Sequence, residues 1–251
     1  MPRLKVKIKM NRIHTYEKTQ NLNFITRILH STRYRNLQKI VSAVSSEKNG
    51  PISVVDIGCG PAGSFGKILD MGVEFEYLGI ELLKDFCDLA RERYGSYEFF
   101  NITCDSIENQ FDNFMNADLI IGLESFEHIP EGVVVRTVEA IGKSNFSYLY
   151  LTVPNEVGMA ILLKNVGSWL MGYPRYKEYK WLETLAASIY ELDYVERHST
   201  RHKGFDWRWL AQTLRQNVKI IRKTTSPMAI IPKFISPSIG FVCVNDKKYE
   251  N

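Results

Sequence analysis

The stretch Val54-Val55-Asp56-Ile57-Gly58-Cys59-Gly60-Pro61-Ala62-Gly63 decides the fold. It starts as a β-branched run and ends in glycines spaced G-x-G-x-x-G (Gly58, Gly60, Gly63), with a helical pattern after it. Glycine adopts the positive φ that a tight strand-to-helix turn needs, and it admits a ligand close to the backbone. The N-terminus of the following helix offers unpaired N–H groups and partial positive charge. Such a turn belongs at the first βα unit of a parallel sheet.

The flanking sequence supports that placement. Short apolar runs recur at Ser53–Ile57, Tyr77–Ile80, Phe99–Thr103, Asp118–Gly122 and Tyr148–Val153. Each has the length and composition of a buried parallel strand. Helical patterns lie between them at Phe65–Met71, Lys84–Tyr94, Ser106–Met115 (weakly) and Glu131–Lys143. The alternation predicts an α/β doubly wound sheet. About 50 residues then intervene before a helix over Asp206–Gln216. Two further strand-like runs, Val218–Thr225 and Gly240–Val244, have only a proline-containing link between them, so they pair antiparallel. The expected sheet is seven-stranded and mostly parallel, with an antiparallel C-terminal hairpin. A helix from Asn23 precedes it, with Leu37, Ile40, Val41 and Val44 on one stripe. The domain division is a basic arm and cap helix over 1–50 and the α/β domain over 51–251, with a helical insert at about 155–203.

Composition bounds the class. The 251 residues are 45% hydrophobic and 24% charged, which excludes collagen-like, disulfide-scaffold and wholly disordered chains. The net charge of +4 is unevenly distributed: residues 1–48 carry +9 and the remainder −5. Cys59, Cys87, Cys104 and Cys243 form no C-x-x-C pair, so reduced thiols and a cytoplasmic location are expected. No secretory signal or spanning apolar segment is expected.

Two ligands compete for the glycine-rich turn. A nicotinamide dinucleotide, serving an oxidoreductase, would place its pyrophosphate on the helix N-terminus. S-adenosylmethionine would place its amino-acid part beside the glycines. Asp56 is a poor neighbour for a pyrophosphate and suits a ligand bearing an ammonium and a sulfonium. Glu81, at the end of the second run, can accept from both ribose hydroxyls in either case. In these residues, with Cys104-Asp105 after the third run and the terminal hairpin, the chain resembles the class I S-adenosylmethionine-dependent methyltransferases over roughly 50–155. The resemblance implies a Rossmann-like domain with Asp56, Gly58, Cys59 and Gly60 at the methionine part. It further implies Glu81 and Leu82 at the ribose, Asp105 near the adenine, and Leu123 and Glu124 lining the site.

Gly122-Leu123-Glu124-Ser125-Phe126-Glu127-His128 contains a second group of chemical residues, E-x-x-E-H, where a doubly wound sheet opens its crevice. Glu124, Glu127 and His128, joined by a distant His198 or His202, can ligate Mg²⁺ or Mn²⁺. Alternatively His128 is a general base, or caps the next helix. The string resembles those of small-RNA 3′-terminal 2′-O-methyltransferases and of ubiquinone-pathway O-methyltransferases. Against the first, Lys203-Gly204 places one residue more than expected between His202 and Phe205. A hydroxyl nucleophile must lose its proton, which gives a cation or base a purpose, so O-methylation is expected, with His128 and Glu124 catalytic. The acceptor is a small molecule, a glycan or a lipid-linked compound. The alternatives are a metal-dependent RNA 2′-O-methyltransferase and a non-catalytic S-adenosylmethionine-binding module.

In the insert, Met159, Leu162, Leu163, Val166, Trp169, Leu170 and Tyr173 form one apolar helical stripe, followed by Pro174-Arg175-Tyr176-Lys177-Glu178-Tyr179-Lys180-Trp181. The stripe is expected to pack on the domain core as a lid. The other readings are peripheral membrane contact through 158–181 and, less favoured, base stacking on nucleic acid.

Overall fold

The computed structural model describes residues 24–170, 172, 178–196, 202–227 and 231–245. Seven strands form one sheet: β1 (Ile52–Ile57), β2 (Phe75–Glu81), β3 (Phe100–Cys104), β4 (Leu119–Leu123), β5 (Tyr148–Pro154), β6 (Lys219–Ser226) and β7 (Ser238–Val244). Their order is β3-β2-β1-β4-β5-β7-β6. β1 to β5 pair parallel, while β7 runs antiparallel to both β5 and β6. This is the expected doubly wound sheet with its terminal hairpin.

Both faces are covered because the strands are apolar on both sides. Along β4, Leu119 and Ile121 face one core and Ile120 the other; Tyr150 and Leu149 divide likewise on β5. One core lies under α1 (Phe24–Glu47), α2 (Gly63–Leu69) and α3 (Lys84–Tyr94). It takes Leu37, Val41, Phe65, Ile68, Cys87 and Ala90 from these helices. The other lies under α4 (Glu131–Lys143) and α7 (Trp207–Arg215), with Val134, Val138, Ile141, Leu210 and Leu214. The cap helix α1 therefore shares its core with β1. The weak helical stretch after β3 is a 3-10 segment over Ile107–Phe114.

Between β5 and α7 lie α5 (Met159–Leu170) and α6 (Trp181–Ser188). Here the expected packing is reversed. Ala160, Ile161, Asn165 and Ser168 are the buried residues of α5, while Met159, Leu163, Trp169 and Leu170 are exposed. Asn165 Nδ2 donates to Thr184 Oγ1 of α6 at 2.7 Å, and Gly158 N donates to Ala187 O at 2.9 Å. Those polar bonds would be left unmade if the stripe turned inward, which carries a larger cost than exposing a leucine. Tyr173 and His198 lie outside the described residues.

Candidate active site

Strand order reverses between β1 and β4, so the segments after these two strands diverge and leave a crevice. The turn after β1 forms one wall. Gly58 (φ 66°) and Gly60 (φ 54°) occupy the left-handed region. A Cβ at Gly58 would meet Ser125 Cβ at 2.5 Å, so glycine is required there by contact as well as by φ. Gly58 N and Cys59 N donate to Ile80 O, pinning the turn to β2.

Asp56 is buried, and its Oδ2 accepts from Tyr77 OH at 2.6 Å and from Ser64 Oγ. Burial pushes its carboxyl up to about 6, although the Ser64 and Tyr77 hydrogen bonds pull it down. Glu81 ends β2. Its Oε2 accepts from Gly60 N at 2.9 Å and its Oε1 from Leu83 N at 2.8 Å. Burial raises this carboxyl too, against those N–H donors. Leu82 stands exposed beside it. Asp105 follows β3, where it accepts from Ser106 N, Asn109 Nδ2 and Gln110 Nε2. These bonds, that from Asn109 foremost, hold its carboxyl below the ordinary value. Cys59 is buried against Gly79, and burial pushes its thiol up.

The recess beside the turn is lined by Arg33, Tyr34, Asp56, Gly58, Ser64 and Leu123, among others. Arg33 and Tyr34 belong to α1 and were not foreseen. Their signal was the α1 stripe itself, because they precede Leu37 by four and three residues and so share its face. Tyr34 OH would lie 2.9 Å from a Cβ at Gly63, so α1 sits directly over the turn. The recess thus combines a buried acid, a half-buried guanidinium and a glycine cradle, a set that fits an amino-acid zwitterion.

The segment after β4 forms the other wall. Glu124 has φ 56°, a rare value for a non-glycine residue. Its Oε1 accepts from Ser238 Oγ at 2.8 Å and lies 3.9 Å from Arg33 Nη2. Burial raises this carboxyl, but Arg33, Ser238 and more distant cations outweigh it and lower the net value. Glu127 points the other way and is buried. Its Oε1 lies 3.3 Å from His202 Nδ1 and 3.8 Å from His128 Nε2, and the two imidazoles meet edge to face. Beyond this mutual contact, the buried Glu127 oxygens and His202 Nδ1 have no well-aligned hydrogen bond among the described residues. One ligating atom from each of Glu127, His128 and His202 falls within a 4.8 Å group. Unsatisfied, convergent carboxylate and imidazole atoms fit a divalent cation. Of the four expected ligands, the structure brings these three together, while Glu124 is engaged by Ser238 and Arg33.

His202 is placed by the insert. The next residue, Lys203, is buried with its Nζ 2.8 Å from Glu183 Oε1. Gly204 N donates to Tyr179 OH at 2.9 Å, and Tyr179 OH donates to buried Glu156 at 3.3 Å.

The sheet order defines the fold, which is that of the class I S-adenosylmethionine-dependent methyltransferases. Among solved structures the chain is similar to the methyltransferase domain of bacterial CtHen1, at TM-score 0.60 and 14% identity over 86% of this chain and 99% of that one. It is also similar to an S-adenosylmethionine-dependent methyltransferase from Clostridium acetobutylicum ATCC 824, at TM-score 0.57 and 12% identity over 94% and 98%. A third likeness is to magnesium protoporphyrin IX methyltransferase from Synechocystis PCC 6803 with bound SAH, at TM-score 0.53 and 12% identity over 89% and 88%. No family model matches the sequence, and no curated protein matches it.

Proposed function

We propose that the protein transfers a methyl group from S-adenosylmethionine to a hydroxyl oxygen. The carrying observation is the Glu127–His128–His202 cluster on and beside the segment after β4, whose Ser125 packs against the glycine turn and its recess of Arg33, Asp56 and Gly58. In this reading Asp56 faces the donor's ammonium, Arg33 its carboxylate, and Glu81 its ribose. Asp105, with its carboxylate engaged by the following turn, contributes shape near the adenine.

In the reaction the sulfonium–methyl bond breaks as the oxygen–methyl bond forms, S-adenosylhomocysteine leaves as a neutral thioether, and the hydroxyl proton passes to water. The protein aligns the two reactants, which supplies much of the rate. Glu127, His128 and His202 would hold Mg²⁺ or Mn²⁺; a bound cation of this kind lowers the pKa of a coordinated hydroxyl. Glu127, buried and in ion-pair contact with His202, supplies the negative charge of the ligand set. Glu124 holds Arg33 and Ser238 at the crevice floor. The acceptor belongs to the small-molecule, glycan or lipid-linked hydroxyl compounds. Acceptor chemistry resides in side chains grafted on the fold.

Calorimetry tests the donor. S-adenosylmethionine binds, and Glu81→Ala weakens it roughly 10- to 100-fold, the worth of a charge-assisted hydrogen bond or two. Preference for NAD would overturn the reading. Radiolabelled methyl transfer across lipid, glycan and RNA fractions then identifies the acceptor, and label confined to RNA would move the assignment to ribose 2′-O-methylation.

A further inference from the structure

His202 is the first residue of a tight turn. Phe205 N donates to His202 O at 3.1 Å, and Gly204 between them has φ 75°. A positive φ at the third of four turn residues suits glycine. The two central residues are Lys203 and Gly204, so the additional spacing between His202 and Phe205 belongs to the turn itself.

Each residue after His202 in this turn is held. Lys203 Nζ lies 2.8 Å from Glu183 Oε1, and Glu183 also accepts from Lys180 N at 2.8 Å and Glu196 N at 3.2 Å. Gly204 N donates to Tyr179 OH at 2.9 Å. Tyr179 is itself fixed, because its OH donates to Glu156 at 3.3 Å. Glu156 is fully buried just past β5 and lies 3.1 Å from Lys164 Nζ of α5. Phe205 is buried in the core under α7. A continuous path therefore runs from β5 through Glu156, Tyr179 and Gly204 to His202. β5 pairs with β4, and the segment after β4 carries Glu127 and His128. Both halves of the cluster are thus referred to the same two strands. A buried tyrosine needs a partner for its hydroxyl, and the N–H that Tyr179 takes up stands two residues from His202.

We propose that Tyr179 is a positioning residue for the cation site, holding His202 against Glu127 through the Gly204 N–H, so that the insert and the cluster form one thermodynamic unit. The proposal rests on the reading of Glu127, His128 and His202 as a divalent-cation site. By linkage, whatever orders the insert favours the cation, and the cation orders the insert by the same free energy.

The test is Mn²⁺ titration of the full chain, followed by calorimetry and by pulsed electron paramagnetic resonance, which counts imidazole nitrogens on the ion. Wild type shows two. Tyr179→Phe keeps the ring and loses the hydroxyl; it binds Mn²⁺ roughly tenfold more weakly, as loss of an orienting partner does, and shows one imidazole. Its S-adenosylmethionine binding and circular dichroism are unchanged, which separates the effect from unfolding. Hydrogen exchange gives the reciprocal readout and needs no variant: saturating Mn²⁺ slows exchange of the α6 and Gly204 amides in wild type. Wild-type affinity with two imidazoles in Tyr179→Phe would overturn the positioning role and leave the cation site standing. Exchange in α6 that ignores Mn²⁺ would overturn the linkage. A wild-type chain that takes up no Mn²⁺ would overturn the cation site and this inference with it.

Discussion

Asp56 is a carboxylate held away from water, and its proton is correspondingly hard to remove. Its carboxyl moves from an ordinary 3.8 to about 6. A raised acid favours the folded chain while protonated, and that contribution fades as pH rises through the folded value. At 1.36 kcal/mol per unit, about 3 kcal/mol is lost between pH 4 and 6. Asp56→Asn removes the titration, so denaturant unfolding should show the variant gaining stability relative to wild type by about this much across that window. A constant difference would refute it. Gly58→Ala is a second test at this scale. Its Cβ would collide with Ser125 Cβ at a φ of 66°, and the left-handed conformation adds roughly 1–2 kcal/mol. The expected outcome is a less stable protein with lost S-adenosylmethionine binding, read by thermal melting and calorimetry.

Among the elements, the insert and the His202 segment depend on each other. Lys203 and Glu183 are buried together, so removing Lys203 leaves the Glu183 carboxylate with only the Lys180 and Glu196 N–H groups and no counter-charge. Lys203→Met should cost roughly 3–5 kcal/mol, whereas Lys203→Met with Glu183→Gln, whose amide oxygen can still accept from the Lys180 or Glu196 N–H, should recover part of it. A double-mutant cycle by urea unfolding measures the coupling, and additive costs would show that the pair is not coupled. The short 3-10 segment over Ile107–Phe114 was legible as a weak helical stretch but not as a helix type, because Asp105 ties Ser106, Asn109 and Gln110 into tight local bonds. The insert was legible as helix with an apolar stripe. Periodicity says which residues share a face, and it leaves open whether that face meets the core or something outside the chain.

At the level of the whole molecule, the crevice separates donor chemistry from the buried acid and imidazoles that face it. Excess chelator should abolish turnover and Mg²⁺ or Mn²⁺ should restore it, measured by radiolabelled methyl transfer. Unchanged turnover would leave His128 as a base. Within the described part of the basic segment, α1 brings the cationic Arg33 into the recess beside Asp56 and to 3.9 Å from Glu124. Among the described residues, no helix is long and apolar enough to cross a membrane.

By itself the sequence determined the strand–helix alternation, the terminal antiparallel pair, the glycine turn with Asp56 and Glu81, and E-x-x-E-H after β4. All of these are local patterns, written in the spacing of neighbouring residues. Tertiary structure alone decided that His202 meets Glu127, that Glu124 turns to Ser238, that Arg33 and Tyr34 line the recess, and that the insert faces outward. Each depends on which distant surfaces pack together, and that is settled by the burial and hydrogen-bond balance of the whole chain.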